Sequence, residues 1–332
     1  MKAIVLESAE NPIVYKEVEK PALQAGEVLV QVKAAALNRR DYWITVGKYG
    51  GIKYPTILGS DGAGIVAEVG DGVDKSWIGK EVIINPSHDY GDDPAFQGKS
   101  FKILGLPEDG TFAEYVKTKA GYLYAKPGHL SFEQASAIPL AGLTAYRALF
   151  TKGQLKAGNK VLIVGAGSGT GSFAIQWAIA EGAEVYVTSS SAEKIELAKG
   201  LGATAGVNYH DTDWDKQLQQ LAGGFDVVID SALGEGFARI PDICNPGARI
   251  VTFGGTAGDV PAFNARKFFY KQLQFLGSMM GTVAEFEAMI DLVNEHKIVP
   301  VVDEVFPLAE ANEAIGKMEK STQFGKIVLK VS

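Results

Sequence analysis

The residues most suggestive of chemistry form a glycine-rich run between Gly165 and Gly171. The run follows the apolar stretch at 160–164 and precedes a segment with helical periodicity. A tight turn at such a place lets backbone N–H groups and a helix N-terminus approach a pyrophosphate, so the sequence predicts a dinucleotide-binding loop. The strict G-x-G-x-x-G pattern is not met, because Thr170 stands at its last position, and the alternative is a plain strand-to-helix corner. The candidate cofactor contacts here are Gly165, Gly167, Ser168, Gly169, Thr170 and Gly171.

The end of the next predicted strand, at 185–187, indicates which dinucleotide is bound. An acidic residue there would bond the ribose 2′-hydroxyl of NAD and repel the 2′-phosphate of NADP. The chain instead continues with hydroxyl residues and then Lys194, one turn into the following helix. Ser189, Ser190 and Lys194 can all donate to a phosphate, so the sequence favours NADP. The alternative is that the serines cap the helix while Lys194 lies on its solvated face.

The elements that must position these residues belong to two compositional regimes, which meet near residues 126–128. Upstream, short β-rich runs are separated by glycine, proline and aspartate turns, which is typical of a compact β-barrel-like domain. Downstream, apolar strands alternate with amphipathic segments of helical length, as in βαβ units on a parallel sheet. The predicted fold class is therefore α/β. Predicted strands lie at 27–32, 64–69, 160–164, 185–187, 226–229, 249–253, 299–305 and 326–330, and predicted helices at 173–181, 192–201, 237–243, 284–295 and 309–319.

Composition excludes several classes of protein. The chain has 332 residues, 46% hydrophobic and 21% charged, which is enough for two hydrophobic cores. Its net charge of −7, with no basic block, argues against a nucleic-acid partner. No apolar segment is long enough to span a membrane, and the apolar stretch at 1–7 is too short for a signal peptide. Cys244 is the single cysteine, so the chain tolerates a reducing compartment and we expect a cytoplasmic location.

Several further motifs stand in a fixed order along essentially the whole chain. They are the opening at 1–3 and the segments at 35–41, 58–66, 109–116, 139–146 and 324–329, together with the glycine run. This order resembles the medium-chain dehydrogenase/reductase superfamily, in particular its quinone-oxidoreductase-like and zinc-type alcohol dehydrogenase-like members. The resemblance implies a GroES-like β-barrel catalytic domain at 1–125, completed by 282–332. It also implies an inserted Rossmann NADP-binding domain, with a doubly wound parallel sheet, at 126–281, and a homodimer.

The zinc ligands of that superfamily are missing from this sequence. Zinc-dependent relatives hold the catalytic metal with a Cys, a His and a second Cys. The corresponding positions here are Asn38, Ser60 and Leu140. Asp61 stands where the family has a glutamate, but one carboxylate beside an amide, a hydroxyl and a leucine is not a tight tetrahedral site. Arg40 and Trp43 occupy the hydroxyl and histidine positions of the alcohol dehydrogenase proton relay, so that relay is missing too. We therefore expect no metal.

Loss of zinc changes the expected chemistry. An alcohol yields hydride only once its alkoxide is stabilised, which zinc normally does, whereas a quinone or conjugated carbonyl is already electrophilic. The sequence therefore favours NADPH-dependent reduction of a quinone or an α,β-unsaturated carbonyl. The resemblance implies that Asn38 and Tyr49 are catalytic, and we expect Ser60 and His88 to line the substrate pocket. The alternatives are an aromatic wall residue for Tyr49 and a solvated loop residue for His88.

The resemblance also implies more distant cofactor contacts. Thr144 would lie near the nicotinamide ribose and Tyr209 beside the 2′-phosphate, with Phe253 and Gly254 at the carboxyl edge of the sheet. The structural alternatives are a Thr144 hydroxyl bonded to its own helix backbone and a Tyr209 ring that covers the edge of the core. Lys326 either reaches the cofactor or is a surface lysine at the start of an edge strand.

Two other functions stay open on the sequence. One is an alcohol dehydrogenase whose zinc is bound by unconventional ligands. The other is a non-catalytic NADP-binding redox sensor, because a glycine-rich loop provides binding but not turnover.

Overall fold

A computed structural model describes residues 1–8 and 11–331 of the chain. They form two compact units, Met1–Ala141 with Gly281–Ser332, and Gly142–Met280. The first compact unit thus extends to Ala141, past the boundary expected between 125 and 126. The physical reason is that Phe132 and Ala137, beyond the expected boundary, pack against apolar residues of the first unit.

The secondary structure alternates short strands with helices in both units. The strands are β1 (Lys2–Leu6), β2 (Val14–Glu17), β3 (Glu27–Ala36), β4 (Thr56–Ile57), β5 (Asp61–Val69), β6 (Glu81–Ile84), β7 (Ser87–His88), β8 (Lys102–Ile103), β9 (Tyr115–Lys119), β10 (Leu123–Ala125), β11 (Lys160–Val164), β12 (Glu184–Ser189), β13 (Ala205–Asn208), β14 (Phe225–Asp230), β15 (Cys244–Thr252), β16 (Gln274–Gly277), β17 (Val302–Pro307) and β18 (Lys326–Lys330). The α-helices are α1 (Arg39–Thr45), α2 (Phe132–Ser136), α3 (Pro139–Tyr146), α4 (Gly169–Ala180), α5 (Ala192–Gly200), α6 (Trp214–Ala222), α7 (Ile240–Ile243), α8 (Ala265–Tyr270), α9 (Val283–Glu295) and α10 (Ala311–Lys320).

The main sheet of the first unit has the order β10–β6–β5–β3–β18–β17, with β9 also paired to β3. Its central strand, β3, packs Val28, Val30 and Val32 into the main core of the unit. The pairing register with β5 shifts between Val32 and Ala34, so the side chains of Ala34 and Ala36 face α2 instead. An irregularity of this kind turns the remainder of a strand relative to its core. It lies just upstream of Asn38.

The second unit contains a parallel sheet with the order β13–β12–β11–β14–β15–β16. β11 pairs in parallel with both β12 and β14, so the chain crosses to opposite sides of β11 as it builds the two halves of the sheet. Ligands of doubly wound sheets bind at the carboxyl ends of the strands where the order reverses. The glycine-rich run leaves the sheet at that point, directly after Val164.

Most predicted elements are confirmed, and the exceptions have local causes. β11 and β18 have the predicted bounds. The predicted helix at 237–243 is instead a 3-10 turn, Gly234–Arg239, followed by the short α7. β17 begins at Val302 rather than 299, because Pro300 has no N–H to give to a strand ladder. No helix among the described residues is long and apolar enough to cross a bilayer.

Candidate active site

Three polar side chains form a closed hydrogen-bonded triangle inside the first unit. Asn38 precedes α1, Asp61 opens β5 and Lys326 opens β18. They meet because β3 runs antiparallel to both β5 and β18, so the end of β3 lies beside the beginnings of the other two. The Lys326 ammonium donates to Asn38 Oδ1 at 2.7 Å and to Asp61 Oδ2 at 2.8 Å. Asn38 Nδ2 donates to the same Asp61 oxygen at 2.9 Å.

The triangle is a buried ion pair with an amide bound to both of its charges. The exposed fractions of Asn38, Asp61 and Lys326 are 6%, 0% and 2%. An ion pair in such surroundings needs further hydrogen bonds to offset the loss of hydration. The second Asp61 oxygen therefore accepts from the Leu140 backbone N–H at 2.7 Å. The surface-lysine alternative for Lys326 is wrong, because β18 lies between β3 and β17 and its first side chain points into the protein.

The same residues do not fit a zinc ion. Zinc sites in proteins use thiolate, imidazole or carboxylate ligands. Leu140 contributes only a backbone N–H, and the Ser60 hydroxyl donates to the Leu104 carbonyl oxygen at 2.7 Å. Asp61 supplies the one carboxylate, and a lysine ammonium already binds it. Nowhere in residues 1–8 and 11–331 do three His, Cys, Asp or Glu side chains come together as a metal site.

A second cluster next to the triangle is centred on Arg40, the second residue of α1. Its Nη1 donates to the Ser60 hydroxyl and, at 2.9 Å, to the carbonyl oxygen of Leu104. Its Nε lies 3.4 Å from the Tyr49 hydroxyl, and the guanidinium carbon lies 5.1 Å from the centre of the Tyr49 ring. The structure thus brings together three of the predicted site residues, Asn38, Tyr49 and Ser60, through contacts to neighbouring side chains.

Asp41 links the two clusters. Its Oδ2 accepts from the Asn38 backbone N–H at 2.7 Å, and its Oδ1 has no hydrogen-bond partner among the described residues. Burial raises the pKa of the Asp41 carboxyl to about 6, against the opposing effect of the Arg40 charge. The carboxyl therefore gains a proton in mildly acidic solution.

His88, predicted in the substrate pocket, forms no hydrogen bond with the two clusters in the part of the chain that the structure describes; it lies in β7 and its side chain contacts Tyr122 and Thr118. Its ring stacks on Tyr122 with 4.1 Å between the ring centres, and Nε2 lies 3.4 Å from the Thr118 hydroxyl. Burial lowers the pKa of His88 to about 4, so the imidazole is neutral at pH 7. The solvated-loop alternative is wrong, because only 5% of the residue is exposed.

The glycine-rich run of the second unit has the geometry of a phosphate-binding turn. Gly165 has a positive φ of 79°, which an L side chain rarely adopts. Ser168 caps α4 by accepting from the Gly171 N–H at 2.9 Å. A Cβ at Gly171 would lie 2.8 Å from the Gly165 carbonyl oxygen, so the turn is too tight for any side chain there. The first N–H groups of α4 provide the positive helix end that a pyrophosphate requires.

Lys194 lies against this turn rather than on the solvated face of α5. A Cβ added to Gly167 would come within 2.7 Å of Lys194 Cδ and 3.2 Å of its Nζ. The absence of a side chain at Gly167 therefore lets the lysine stem cross the loop and brings its ammonium to the region expected for a phosphate. These residues fit a nicotinamide dinucleotide, because a helix N-terminus, the Lys194 ammonium and the open space beside Gly165 come together at the turn.

The three serines at 189–191, at the end of β12, have two different roles. Ser191 caps α5, since its hydroxyl accepts from the Lys194 N–H at 3.3 Å. Ser189 accepts from the Ser191 N–H at 3.2 Å, whereas the side chain of Ser190 is exposed. Tyr209 follows β13 beside them, with its N–H bonded to the Ser189 carbonyl at 3.1 Å. The capping alternative thus holds for Ser191, and the other hydroxyls stay candidates for the cofactor.

The remaining predicted cofactor contacts are also in the second unit. Thr144 is buried in α3, with its hydroxyl 3.8 Å from Met280 Sδ. Phe253 and Gly254 follow β15, where the Thr252 hydroxyl donates to the Gly254 carbonyl at 3.0 Å. A Cβ at Gly254 would lie 2.9 Å from the Ser231 carbonyl, so the backbone there passes close to the end of β14. Their roles stay predictions.

Sequence reasoning missed the roles of Arg40 and Lys326 as buried charges of the site. The sequence indicates Arg40 only as a residue at the relay hydroxyl position, and Lys326 only as a surface or cofactor-facing residue. A signal was present in each case. Lys326 opens a wholly apolar strand segment, and Arg40 stands beside the candidate Asn38 at the start of a helix.

Family comparisons agree with this architecture. Residues 24–128 match the alcohol dehydrogenase GroES-like domain, and residues 169–295 match the zinc-binding dehydrogenase domain. Zinc-type alcohol dehydrogenase-like proteins from Leptosphaeria maculans and Schizosaccharomyces pombe are 34% and 36% identical. The matches cover 96% of this chain and 95% of the first protein, and 95% of this chain and 94% of the second.

Solved structures give the same result. An NAD-dependent alcohol dehydrogenase superposes with a TM-score of 0.94 at 36% identity, covering 100% of both chains. A 2-octenoyl-CoA carboxylase reductase in complex with NADP and 2-octenoyl-CoA superposes with a TM-score of 0.90 at 29% identity, covering 99% of this chain and 87% of that one. A GroES-like unit with a doubly wound dinucleotide-binding unit defines a nicotinamide-dependent oxidoreductase. The chain belongs to the medium-chain dehydrogenase/reductase superfamily.

Proposed function

We propose that this protein is a zinc-independent, NADPH-dependent reductase that transfers hydride to a quinone or an α,β-unsaturated carbonyl. The observation that carries the proposal is the Asn38–Asp61–Lys326 triangle, which engages Asn38, the residue that the resemblance aligns with the first metal ligand. An ammonium group there supplies positive charge but no vacant coordination position for an alkoxide. Acceptors that are already electrophilic need only orientation and hydrogen bonding to the oxygen that gains charge.

Asn38 is the proposed hydrogen-bond donor to the substrate carbonyl. Its Oδ1 is engaged by Lys326 and one N–H by Asp61, so the amide is held in one orientation and keeps a second N–H for the substrate. Tyr49 is the proposed proton donor. Its hydroxyl oxygen receives the Arg40 N–H, which leaves its own proton free to be given to the substrate. Bound NADPH supplies the hydride.

NADP is proposed over NAD because of the groups around the end of β12. Lys194 reaches the glycine turn, and Ser190 and Tyr209 are exposed near it in the fold of the second unit. No carboxylate ends β12, whose last residue is Ser189. The NADP-bound octenoyl-CoA reductase supports this choice, and it also supports reduction of a conjugated carbonyl.

The test is NADPH oxidation with a panel of quinones and enones, using protein treated with a chelator. We expect turnover that the chelator leaves unchanged, and tighter binding of NADPH than of NADH. NADPH binding without turnover on a broad panel would favour the redox sensor instead.

The names of the relatives favour one second candidate, an alcohol dehydrogenase with zinc held by unconventional ligands. Metal analysis of protein never exposed to added zinc separates the two. About one zinc per chain, with chelator-sensitive oxidation of benzyl alcohol, would establish the second candidate.

A homodimer in the cytoplasm completes the proposal. β16 is the last strand of the parallel sheet, and it exposes Phe275. Phe269 and Tyr270, just before it, are 68% and 83% exposed. An open strand edge beside exposed aromatics is a surface that a second copy could cover. Light scattering tests the dimer.

A further inference from the structure

Arg40 is a buried cation without a carboxylate partner. Only 8% of the residue is exposed, yet no Asp or Glu oxygen in the described part of the chain lies within ion-pair distance of its guanidinium. The acceptors it does reach, on Ser60, Leu104 and Tyr49, are all uncharged. Buried charges are normally paired, because removal of an ion from water is costly.

One side of the guanidinium also lacks an acceptor. Nε and Nη1 make the three contacts, whereas Nη2 donates to no residue of the described chain. Neither neighbouring carboxylate forms a hydrogen bond with Arg40 in the described chain: Asp61 binds Lys326, and Asp41 accepts from the Asn38 backbone through Oδ2 while its Oδ1 has no partner. The three contacts hold the guanidinium in place, so the two N–H groups of Nη2 have a defined position. Two fixed N–H donors on a positive group are suited to an anionic oxygen.

We propose that Arg40 binds the oxygen of the acceptor that becomes negatively charged during hydride transfer. This inference rests on the proposed function and adds the group that stabilises its charged intermediate. Asn38 is then an uncharged donor to the same oxygen, and Lys326 is a positioning residue whose charge is largely offset by Asp61. We therefore expect the site to favour acceptors whose reduction leaves an enolate or a hydroquinone anion.

The reduction balances in bonds, electrons and protons. Hydride adds its electron pair to the β-carbon of the enone, the C=C pair shifts to form an enolate, and the carbonyl oxygen takes the negative charge beside Arg40. The oxidised dinucleotide is the other product. One proton from Tyr49, which recovers it from water, then completes the saturated carbonyl.

The experiment compares Arg40→Gln and Arg40→Lys with the matched control Arg39→Gln on the same helix. Arg39 instead contacts residues near the C-terminus of the chain, donating to the Met318 carbonyl oxygen and the Ser321 hydroxyl. With a neutral enone, Arg40→Gln should lower kcat about 100-fold with little change in KM, the loss typical of one oxyanion donor. Arg40→Lys should retain more activity than Arg40→Gln, and Arg39→Gln should retain full activity.

Chemical rescue separates a lost charge from a damaged fold. Guanidinium at millimolar concentration should restore much of the activity of Arg40→Ala, whereas urea, its neutral analogue, should not. A structural defect would respond to neither. Equal kcat values for wild type and Arg40→Gln, or equal rescue by urea and guanidinium, would overturn the proposal.

Binding of benzoate, with benzamide as the neutral control, measures the anion site without turnover. Wild type should bind benzoate more tightly than benzamide, and Arg40→Gln should lose that preference. If the wild type shows this preference for benzoate and Arg40→Gln loses it, but the wild type reduces no acceptor, the proposed function is refuted and the anion site is supported. Loss of benzoate binding with unchanged turnover of neutral enones would show that Arg40 binds a fixed substrate carboxylate, which overturns the developing-charge role. Absence of both turnover and benzoate preference in the wild type would overturn the anion site itself.

Discussion

The two units differ in what forms their candidate sites: a backbone turn in the second unit and buried charged side chains in the first. The glycine turn of the second unit keeps the positive φ at Gly165, the Ser168 cap and the tight packing at Gly171. In the first unit, Asn38, which the resemblance aligns with a metal ligand, is bound to a buried ion pair of Asp61 and Lys326. Cofactor binding depends on the backbone shape of one turn, whereas the chemistry at the substrate depends on a few side chains. The side-chain site can change while the turn and the fold stay the same.

The largest effect is expected from Lys326→Met, which breaks the ion pair of the first unit. The Asp61 carboxylate would stay buried without its cation, so the free energy of unfolding should fall by about 3–5 kcal/mol. Urea denaturation measures this change. Lys330→Met, at the exposed end of the same strand, is the control and should change stability by less than about 0.5 kcal/mol. A loss below about 1 kcal/mol for Lys326→Met would mean that the triangle is not a strong structural element.

The next largest effect concerns Tyr49 as proton donor. Tyr49→Phe removes the hydroxyl but keeps the ring against Arg40, so kcat with an enone should fall about 100-fold at nearly constant NADPH affinity. Stopped-flow measurement of NADPH oxidation gives the rate. Tyr15→Phe, an exposed tyrosine of β2, should have no effect. An unchanged rate for Tyr49→Phe would leave the residue with a packing role alone.

The next prediction concerns the cofactor site of the second unit, where Lys194→Glu reverses a charge beside the glycine turn. Loss of the ammonium beside the glycine turn should weaken NADPH binding about tenfold and leave NADH binding within about twofold. Fluorescence titration with both dinucleotides measures the ratio. Lys199→Glu, on the same helix but exposed, is the control. Equal affinities of the wild type for NADPH and NADH would refute the assignment of the cofactor.

The smallest effect comes from the proton of Asp41. The folded-state pKa of about 6 is higher than that of an unfolded aspartate, so the folded protein binds the proton more tightly. The stability from this group is complete below about pH 4 and is lost as pH rises through about 6. Asp41→Asn should remove about 1–3 kcal/mol of that decline between pH 4.5 and 7.5, as measured by urea unfolding at both values. Asp92→Asn, in an exposed loop, should not alter it.

Much of the fold could be predicted because its signals are local. The apolar strand at 160–164 and the glycines after it are contiguous in the chain, and β11 and the turn lie where predicted. The boundary predicted near 126–128 rests on a compositional change, whereas α2 joins the first compact unit by packing with distant residues of β3 and β18. Packing of that kind leaves no local pattern in the sequence.

The sequence by itself determined the family and predicted both the dinucleotide-binding turn and the absence of three zinc ligands, since each is a matter of residue type at a recognisable spacing. Only the tertiary structure showed which charged side chains surround Asn38. Asn38, Asp61 and Lys326 are far apart in the chain and come within 3 Å of one another where the end of β3 meets its antiparallel neighbours β5 and β18. The physical reason is that sheet topology brings the end of one strand beside the beginnings of others, and burial then requires that the charges gathered there find partners.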